Sequence, residues 1–545
     1  MNYLCGNYKT QMSTLRENLL EELDRRVKDR IMEQTNADLL KKLIINADND
    51  SEAMMIAQLG TSYKRTGLHF DKRLEKMTSD IHYFKKNESL SFHTDDLKPT
   101  NKLIIGDNYE ALQNLLIQYK GDIDFIYIDP PYGKDSMGDF ARTNYQNAIT
   151  RDNLLSMLFP RLMLAKQLLS GRGVIFCSID DRNYAYVKCL FDEVFGENNF
   201  VGTIIWQSAT DNNPRQISIE HEYIICYCHD INNLDKWLIK SEKAKLIEQK
   251  YKDLKSKYSD ITTIQTKLRE WIKANKDDLQ GVAHYNNVDE KGVYSNSSNS
   301  SNTKPGGYTF DIIHPVTHKP CVKPDFGWRW TEETFLNYEK CGDIEWGRDE
   351  TTQPHVKKRI ETVDEKLKSV YYEDGRIATK LLESIFGVKK IFDNPKPTNL
   401  IRRLMEFSTQ EDSIVLDFFA GSGTTGQAAL ELNRTFILCQ QNELTATTPC
   451  GIAYDVTSKR LKRIMTGECY DHSCDFDWIK KNKPYGGNLD VYEIERVSSC
   501  EKTEGETPFD VIDETLYGCQ KFKTLKDKIE WVCRNFCNTQ KKVEE

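Results

Sequence analysis

The feature that most constrains the fold is a repeated texture beginning at Lys102. The chain reads "KLIIGDNYEALQNLLIQY", then "DFIYIDPPY", then "DNLLSMLFPRLMLAKQLLSGRG", then "GVIFCSID". The first piece is a short apolar strand, a Gly-Asp turn and a helix with leucines at helical spacing. The second and fourth are runs of β-branched and aromatic residues, and the third is an apolar helix running to Gly171. Strands and helices alternating at this spacing predict βαβ units and a parallel sheet. The texture breaks off near Asp230 and returns near Ile391. There "PKPTNLIRRLMEF" predicts a helix, "SIVLDFFAGSGTTGQAALEL" a strand, glycine turn and helix, and "RTFILCQ" another strand. One α/β sheet is thus written in two halves around a long stretch of different character.

That stretch opens on a basic segment. Lys236 to Gln280 holds twelve Lys and Arg against seven Asp and Glu, on a helical pattern that carries Trp237 and Trp271. "YSNSSNSSNTKPGG", residues 294–307, is low in complexity and predicts a loop. "DIIHPVTHKPCVKPDFGWRW" follows, with prolines and aromatics in no regular period. Ahead of the α/β texture, residues 1–100 are polar and weakly periodic, with one or two helices predicted between Met12 and Leu43. A chain of 545 residues exceeds one hydrophobic core and divides into two to four domains. The expected boundaries are an N-terminal helical extension (1–100), a first sheet half (101–229), an insertion (230–375), a second sheet half (376–467) and a C-terminal extension (468–545).

Composition excludes several classes. A net charge of −8 argues against a uniformly basic nucleic-acid binder, although a local basic face remains compatible with it. No apolar window reaches membrane-spanning length, and "MNYLCGNYKTQ" has no signal-peptide core, so a soluble, cytoplasmic protein is expected. The fifteen cysteines are scattered and form no CxxC pair. Cys226, Cys228 and His229 make one tight group, and Cys469, His472 and Cys474 another. Neither has an evident fourth ligand, so both read as reduced thiols and no metal is expected. No phosphate-loop signature occurs.

Two motifs carry chemistry. The strand "FIYI" ends in Asp129-Pro130-Pro131-Tyr132; the prolines stop the ladder, since neither can donate to it, but they do not account for the acid or the aromatic ring. In the second half, Asp417 to Gly426, "DFFAGSGTTG", sets glycines between a strand and a helix. This suits close approach of a ligand to backbone; a tight turn that needs glycines for its own geometry is the alternative.

Taken together, these motifs resemble the DNA amino-methyltransferases, and more narrowly the modification subunits of type III restriction systems and their adenine-specific relatives. Asp129 to Tyr132 stands before the insertion and Phe419-Ala420-Gly421-Ser422-Gly423 after it, the permuted order of the β group. "DSMGDFARTNYQN", "NPKPTNLIRRL" and "DIIHPVTHKPC…GWRW" also look like that family, and the resemblance covers roughly residues 100–465. It implies a Rossmann-like, mostly parallel methyltransferase sheet in circularly permuted order, with an inserted target-recognition domain and smaller N- and C-terminal extensions.

The resemblance also implies the reaction: methyl transfer from S-adenosyl-L-methionine to adenine N6 in double-stranded DNA, with the target base flipped out. Cytosine N4 is the alternative target, although Ser usually leads the tetrapeptide there; a specificity module for a nuclease or translocase partner is the alternative from another class. Asp129 and the Pro130 carbonyl, on the stiff Pro130-Pro131 backbone, would each accept one amino hydrogen, and Tyr132 would stack on the base. Asp417, Phe419, Gly421, Ser422, Gly423 and Thr424 match cofactor-pocket positions. Lys396, Pro397 and Thr398, at a helix start, suit the methionine carboxylate. Asp107 is either a contact for the cofactor adenine or a helix N-cap. Gln440 stands where many relatives carry an acid for the cofactor ribose, with Glu443 three residues on. The insertion's basic helix is either a DNA-phosphate contact or a solvated face, and Trp328, Arg329 and Trp330 are either core or a wedge at the flipped base. A homodimer and a restriction (nuclease/helicase) subunit are the partners such a chain would take, and no membrane.

Overall fold

The computed structural model describes residues 14–28, 32, 34–59, 80–131, 150–208, 216–296, 300–498 and 507–536. Tyr132 and "DSMGDFARTNYQN" lie outside the described residues. In a first unit, Met1–Phe70, the described residues form three helices: α1 (Thr14–Lys28), α2 (Gln34–Ile45) and α3 (Asp50–Leu59). Leu23, Ala37, Ile44, Ala53 and Ala57 form its small core, and Arg16 pairs with Asp50 at 3.0 Å to tie α1 to α3.

The second unit, Asp71–Glu545, is organised by an 11-stranded sheet. In chain order its strands are β1 (Asp80–Lys86), β2 (Phe92–His93), β3 (Thr100–Ile105), β4 (Ile123–Ile128), β5 (Leu169–Ile179), β6 (Phe200–Gln207), β7 (His221–Cys228), β8 (Val370–Tyr372), β9 (Ile414–Asp417), β10 (Thr435–Gln440) and β11 (Asn488–Ser498). In space they run β1-β11-β3-β10-β9-β4-β5-β7-β6-β8, with β2 against β11. From β11 to β5 every neighbouring pair is parallel, and β7 then turns antiparallel to both β5 and β6. The central strands are apolar because both their faces are covered: Phe125, Ile126, Ile128, Val415 and Leu416 are fully buried.

The helices that matter here are α4 (Asn108–Tyr119), α5 (Thr150–Leu168), α6 (Tyr184–Phe195), α7 (Glu242–Lys255), α8 (Ile261–Ala274), α9 (Glu332–Lys340), α10 (Thr398–Ser408), α11 (Thr424–Glu431) and α12 (Lys459–Thr466). Strand β4 leads through α5 to β5 on one side, whereas β9 leads through α11 to β10 on the other. The winding of the sheet therefore reverses between β4 and β9, where the strands themselves are paired, Val415 opposite Phe125 and Leu416 opposite Ile126. A crevice opens beyond the carboxyl ends of strands at such a switch point.

Three expectations need correction. Helix α5 ends at Leu168 rather than Gly171, because Leu169 already pairs with Ile123 in the sheet. The boundaries at 100 and 468 cut through the sheet: β1 and β2 belong to it, and so does β11, which lies between β1 and β3. Strand β11, "NLDVYEIERVS", buries Leu489 and Val491 but carries acids between its apolar residues, so its polar texture hides a central strand. The insertion also returns to the sheet before residue 375, since Val370–Tyr372 pairs with β6.

The insertion has two cores of its own. The basic segment is a pair of helices, α7 and α8, capped by Ser241 and Asp260 and packed through Ile247, Leu254, Ile264, Leu268 and Ile272. The second core gathers Ile312, Trp328, Phe335, Ile344 and Val356. Trp328 is fully buried there and its indole N–H donates to the Phe310 carbonyl at 2.9 Å, so it is a core residue; Trp330 packs beside it. Trp328→Ala should destabilise this lobe by about 3–5 kcal/mol through the cavity it leaves. Limited proteolysis should then cut within residues 300–356 while the sheet stays resistant. Wild-type resistance of that lobe would contradict the assignment.

Candidate active site

The candidate residues gather at the carboxyl ends of the parallel strands, as the switch-point topology requires. Asp129 follows β4 directly, and the buried Pro130 ends the ladder. Its Oδ1 lies 3.2 Å from Nζ of Lys396, on the segment leading into α10, and the same ammonium donates to Glu222 Oε2 at 2.7 Å. Glu222 reaches this edge because β7 runs antiparallel to β5, so the start of β7 lies level with the ends of its parallel neighbours. Trp206 of β6 sits opposite Glu222 in the ladder, and its ring centroid is 5.4 Å from the ammonium. The indole is fixed in turn by an N–H bond to the Glu373 carbonyl at 2.9 Å.

Lys396 is only 7% exposed at its side chain. Burial alone would push its pKa down, but the Asp129 and Glu222 carboxylates outweigh burial and hold the ammonium above the usual lysine range. Three segments far apart in the chain thus place two carboxylates around one buried cation.

The glycine turn lies across the crevice. Asp417 ends β9 fully enclosed, accepting from the Phe419 N–H at 2.9 Å and from the Thr425 hydroxyl. Burial raises its pKa to about 7; the bonds from Thr425 and Phe419 pull it down and the Asp129 charge pushes it up. Gly421 (φ +50°) and Gly423 (φ +79°) both adopt the left-handed backbone that glycine tolerates without strain. The amides of this turn face inward: Ala420 donates to the Cys439 carbonyl, Gly421 to Gln440 Oε1 at 2.6 Å and Gly423 to the Ala420 carbonyl. Phe419 is half-buried, its ring 5.3 Å from that of Phe418.

Several of the expected contact residues also shape the turn. Gln440 accepts from Gly421 N and donates to the Gln441 carbonyl, so its amide braces the glycine turn. Ser422 and Thr424 are buried and bond a residue that sequence reading missed, Arg460 on α12. One guanidinium nitrogen donates to the Ser422 carbonyl, Ser422 Oγ and Thr424 Oγ1, and the other to Gln427 Oε1 at 2.8 Å and Thr398 Oγ1 at 3.4 Å. Burial lowers the Arg460 pKa to about 10, with Tyr485 and Glu431 pulling it back up, so it stays charged at neutral pH. Pro397 precedes α10 in extended conformation and Thr398 is its first residue.

Asp107 takes the N-cap role. It accepts from the Tyr109 N–H at 2.8 Å and pairs with the buried Arg161 at 3.1 Å. Beside it, the Asn108 side chain donates to the Phe418 carbonyl at 2.8 Å, stitching the first half of the sheet to the glycine turn.

Glu222 was also missed, since "HEYIICYC" reads simply as a buried strand. The signal for Arg460 was its place four residues before Ile464, on the apolar stripe of α12. Cys226 and Cys228 are buried in β7, and among the described residues no group of three His, Cys, Asp or Glu side chains is placed to hold a metal ion. Nor is any described helix long and apolar enough to cross a membrane.

Comparison with known proteins identifies the family. The profile of a family described as DNA methylase matches residues 123–448, and one described as an uncharacterised conserved protein matches residues 15–124. The EcoP15I Mod subunit of Escherichia coli, a type III restriction-modification enzyme, is 32% identical over 76% of this chain and 69% of its own length. The StyLTI Mod subunit of Salmonella typhimurium is 28% identical, over 72% of this chain and 59% of its own length. The type II methyltransferase M.KpnI of Klebsiella pneumoniae is 30% identical, over 71% of this chain and 94% of its own. A DNA modification methylase structure from Thermus thermophilus aligns over 72% of this chain and 98% of its own at 13% identity and a TM-score of 0.32. With a profile match spanning more than half of its residues on both sides of the insertion, the chain belongs to the DNA methylase family.

Proposed function

We propose that the chain transfers the methyl group of S-adenosyl-L-methionine to the N6 amino group of adenine in DNA, as the modification subunit of a restriction system. The observation that carries this reading is the convergence of Asp129, Lys396 and Glu222 with the Asp417–Gly423 turn at the switch point between β4 and β9. The names of the relatives support the restriction-system assignment, with a nuclease-bearing partner as its consequence.

The donor set suits the cofactor. The half-buried Phe419 offers an aromatic surface beside the glycine turn, which suits a sulfonium cation. S-Adenosyl-L-methionine supplies an electrophilic methyl group when bound.

The amine of adenine is a weak nucleophile because its lone pair is delocalised into the ring. Asp129 accepts one of its hydrogens and the Pro130 carbonyl the other, which holds the nitrogen in the geometry that restores the lone pair. A base inside a duplex cannot reach this edge, so the target base is flipped out of the stack. Positioning and fixed charge then supply most of the rate enhancement. Sequence reading falls to the insertion, where α7 turns its apolar face to α8 and leaves Lys245 and Lys252 exposed for phosphate contact.

Asp129→Ala should lower methyl transfer to DNA by about a hundredfold or more while leaving cofactor affinity nearly intact. Transfer of labelled methyl groups beside equilibrium binding of the cofactor checks both; a lost affinity with an unchanged rate would contradict the role. Gly421→Val should do the opposite. It forces a branched side chain into left-handed backbone and brings its Cβ to 3.1 Å from Phe392 Cζ, so the turn must distort. A folded Gly421→Val protein with wild-type cofactor affinity would show that the turn does not form the binding surface.

A further inference from the structure

The site holds one more charge than the usual description of amine activation needs. A single carboxylate accepting from the target amine would suffice to orient it, yet Asp129 shares its cation with Glu222. Lys396 Nζ is closer to Glu222, at 2.7 Å, than to Asp129, at 3.2 Å. Glu222 is about a quarter exposed and so is Asp129, whereas the lysine between them is enclosed. Trp206, opposite Glu222 on β6, closes one side of the cation with its ring.

We infer that Glu222 is a positioning residue for methyl transfer: by drawing the Lys396 ammonium toward itself it leaves Asp129 a full negative charge to face the reacting amine. The inference rests on the adenine-methylation reading above and deepens it. Without Glu222, a buried ammonium would have Asp129 as its nearest carboxylate and would close on it. The pair would then be neutral, and the Asp129 oxygens would be weaker acceptors for the amino hydrogens.

The reaction makes this charge matter. As the nitrogen lone pair forms the new N–C bond, the S–C bonding pair returns to sulfur, so the positive charge moves from sulfur to nitrogen. The nitrogen then releases one proton to water. Two carboxylates and one ammonium sum to a single negative charge at the edge where that positive charge arrives. A fixed negative charge placed there favours the transition state over the ground state. Lys396 is needed as well, since two unpaired carboxylates at this spacing would repel and one would take up a proton.

The test compares Glu222→Gln and Glu222→Asp in the full-length chain. Single-turnover methyl transfer is measured on unmethylated bacterial genomic DNA, with rates expressed per cofactor-binding site so that misfolded protein does not count. Glu222→Gln keeps the size and an acceptor oxygen but loses the charge. Its rate should fall about tenfold or more, with cofactor and DNA affinities within about threefold of wild type. Glu222→Asp should recover a substantial part of the rate. The assignment is overturned if Glu222→Gln reacts at the wild-type rate per site. It is equally overturned if Glu222→Asp falls as far as Glu222→Gln, because a purely steric role responds to length rather than to charge. A wild-type protein that methylates no DNA in the same assay would instead overturn the functional reading, and this assignment with it.

Discussion

The parallel pairing of β9 with β4 is the constraint on which the rest depends. It sets Val415 opposite Phe125 and Leu416 opposite Ile126, and so brings the ends of two distant segments, Asp417 and Asp129, to the same sheet edge. All four residues of that register are fully buried, so the pairing is held by apolar packing on both faces as well as by its hydrogen bonds. A slip of one residue would turn every side chain to the opposite face. The Asp129 carboxylate would then point away from Lys396. Asn108, at the start of α4, ties the end of β3 to the same sheet edge through the Phe418 carbonyl.

Around that join the protein uses buried cations to organise acceptors. Arg460 gathers Ser422, Thr424, Gln427 and Thr398, which fixes the underside of the glycine turn to the start of α10. Arg161 holds the Asp107 cap and the Asn108 side chain. Lys396 holds Asp129 and Glu222. A cation buried with several acceptors is costly to leave unpaired, so each of these contacts discourages alternative arrangements of the loops it touches. The turn therefore keeps its shape without spending the ligand's own hydrogen bonds on it.

Much of this was legible in the sequence. β-Branched runs marked β3, β4, β5, β9 and β10, because strands covered on both faces must be apolar, and Asp129-Pro130-Pro131 marked where β4 stops. The glycines marked a left-handed turn. What escaped reading was long-range and polar. Glu222 is one acid at the start of an apolar strand, and only the antiparallel course of β7 brings it to Lys396. Arg460 looks like a surface residue in "SKRLKRIM" until the helix is packed. Strand β11 hid behind alternating acids, and nothing local in the sequence shows that the Gln440 amide closes the Gly421 turn. Pairwise partners of this kind depend on topology, which local pattern does not encode.

The central claim is that this edge of the sheet activates an adenine amine. It is tested most directly by the identity of the modified base. Unmethylated duplex DNA is incubated with the protein and S-adenosyl-L-methionine, digested to nucleosides and resolved by mass spectrometry. The account predicts N6-methyladenine, absent when the cofactor is omitted. N4-methylcytosine in its place, or no methylated nucleoside from protein that binds the cofactor and DNA, would contradict it.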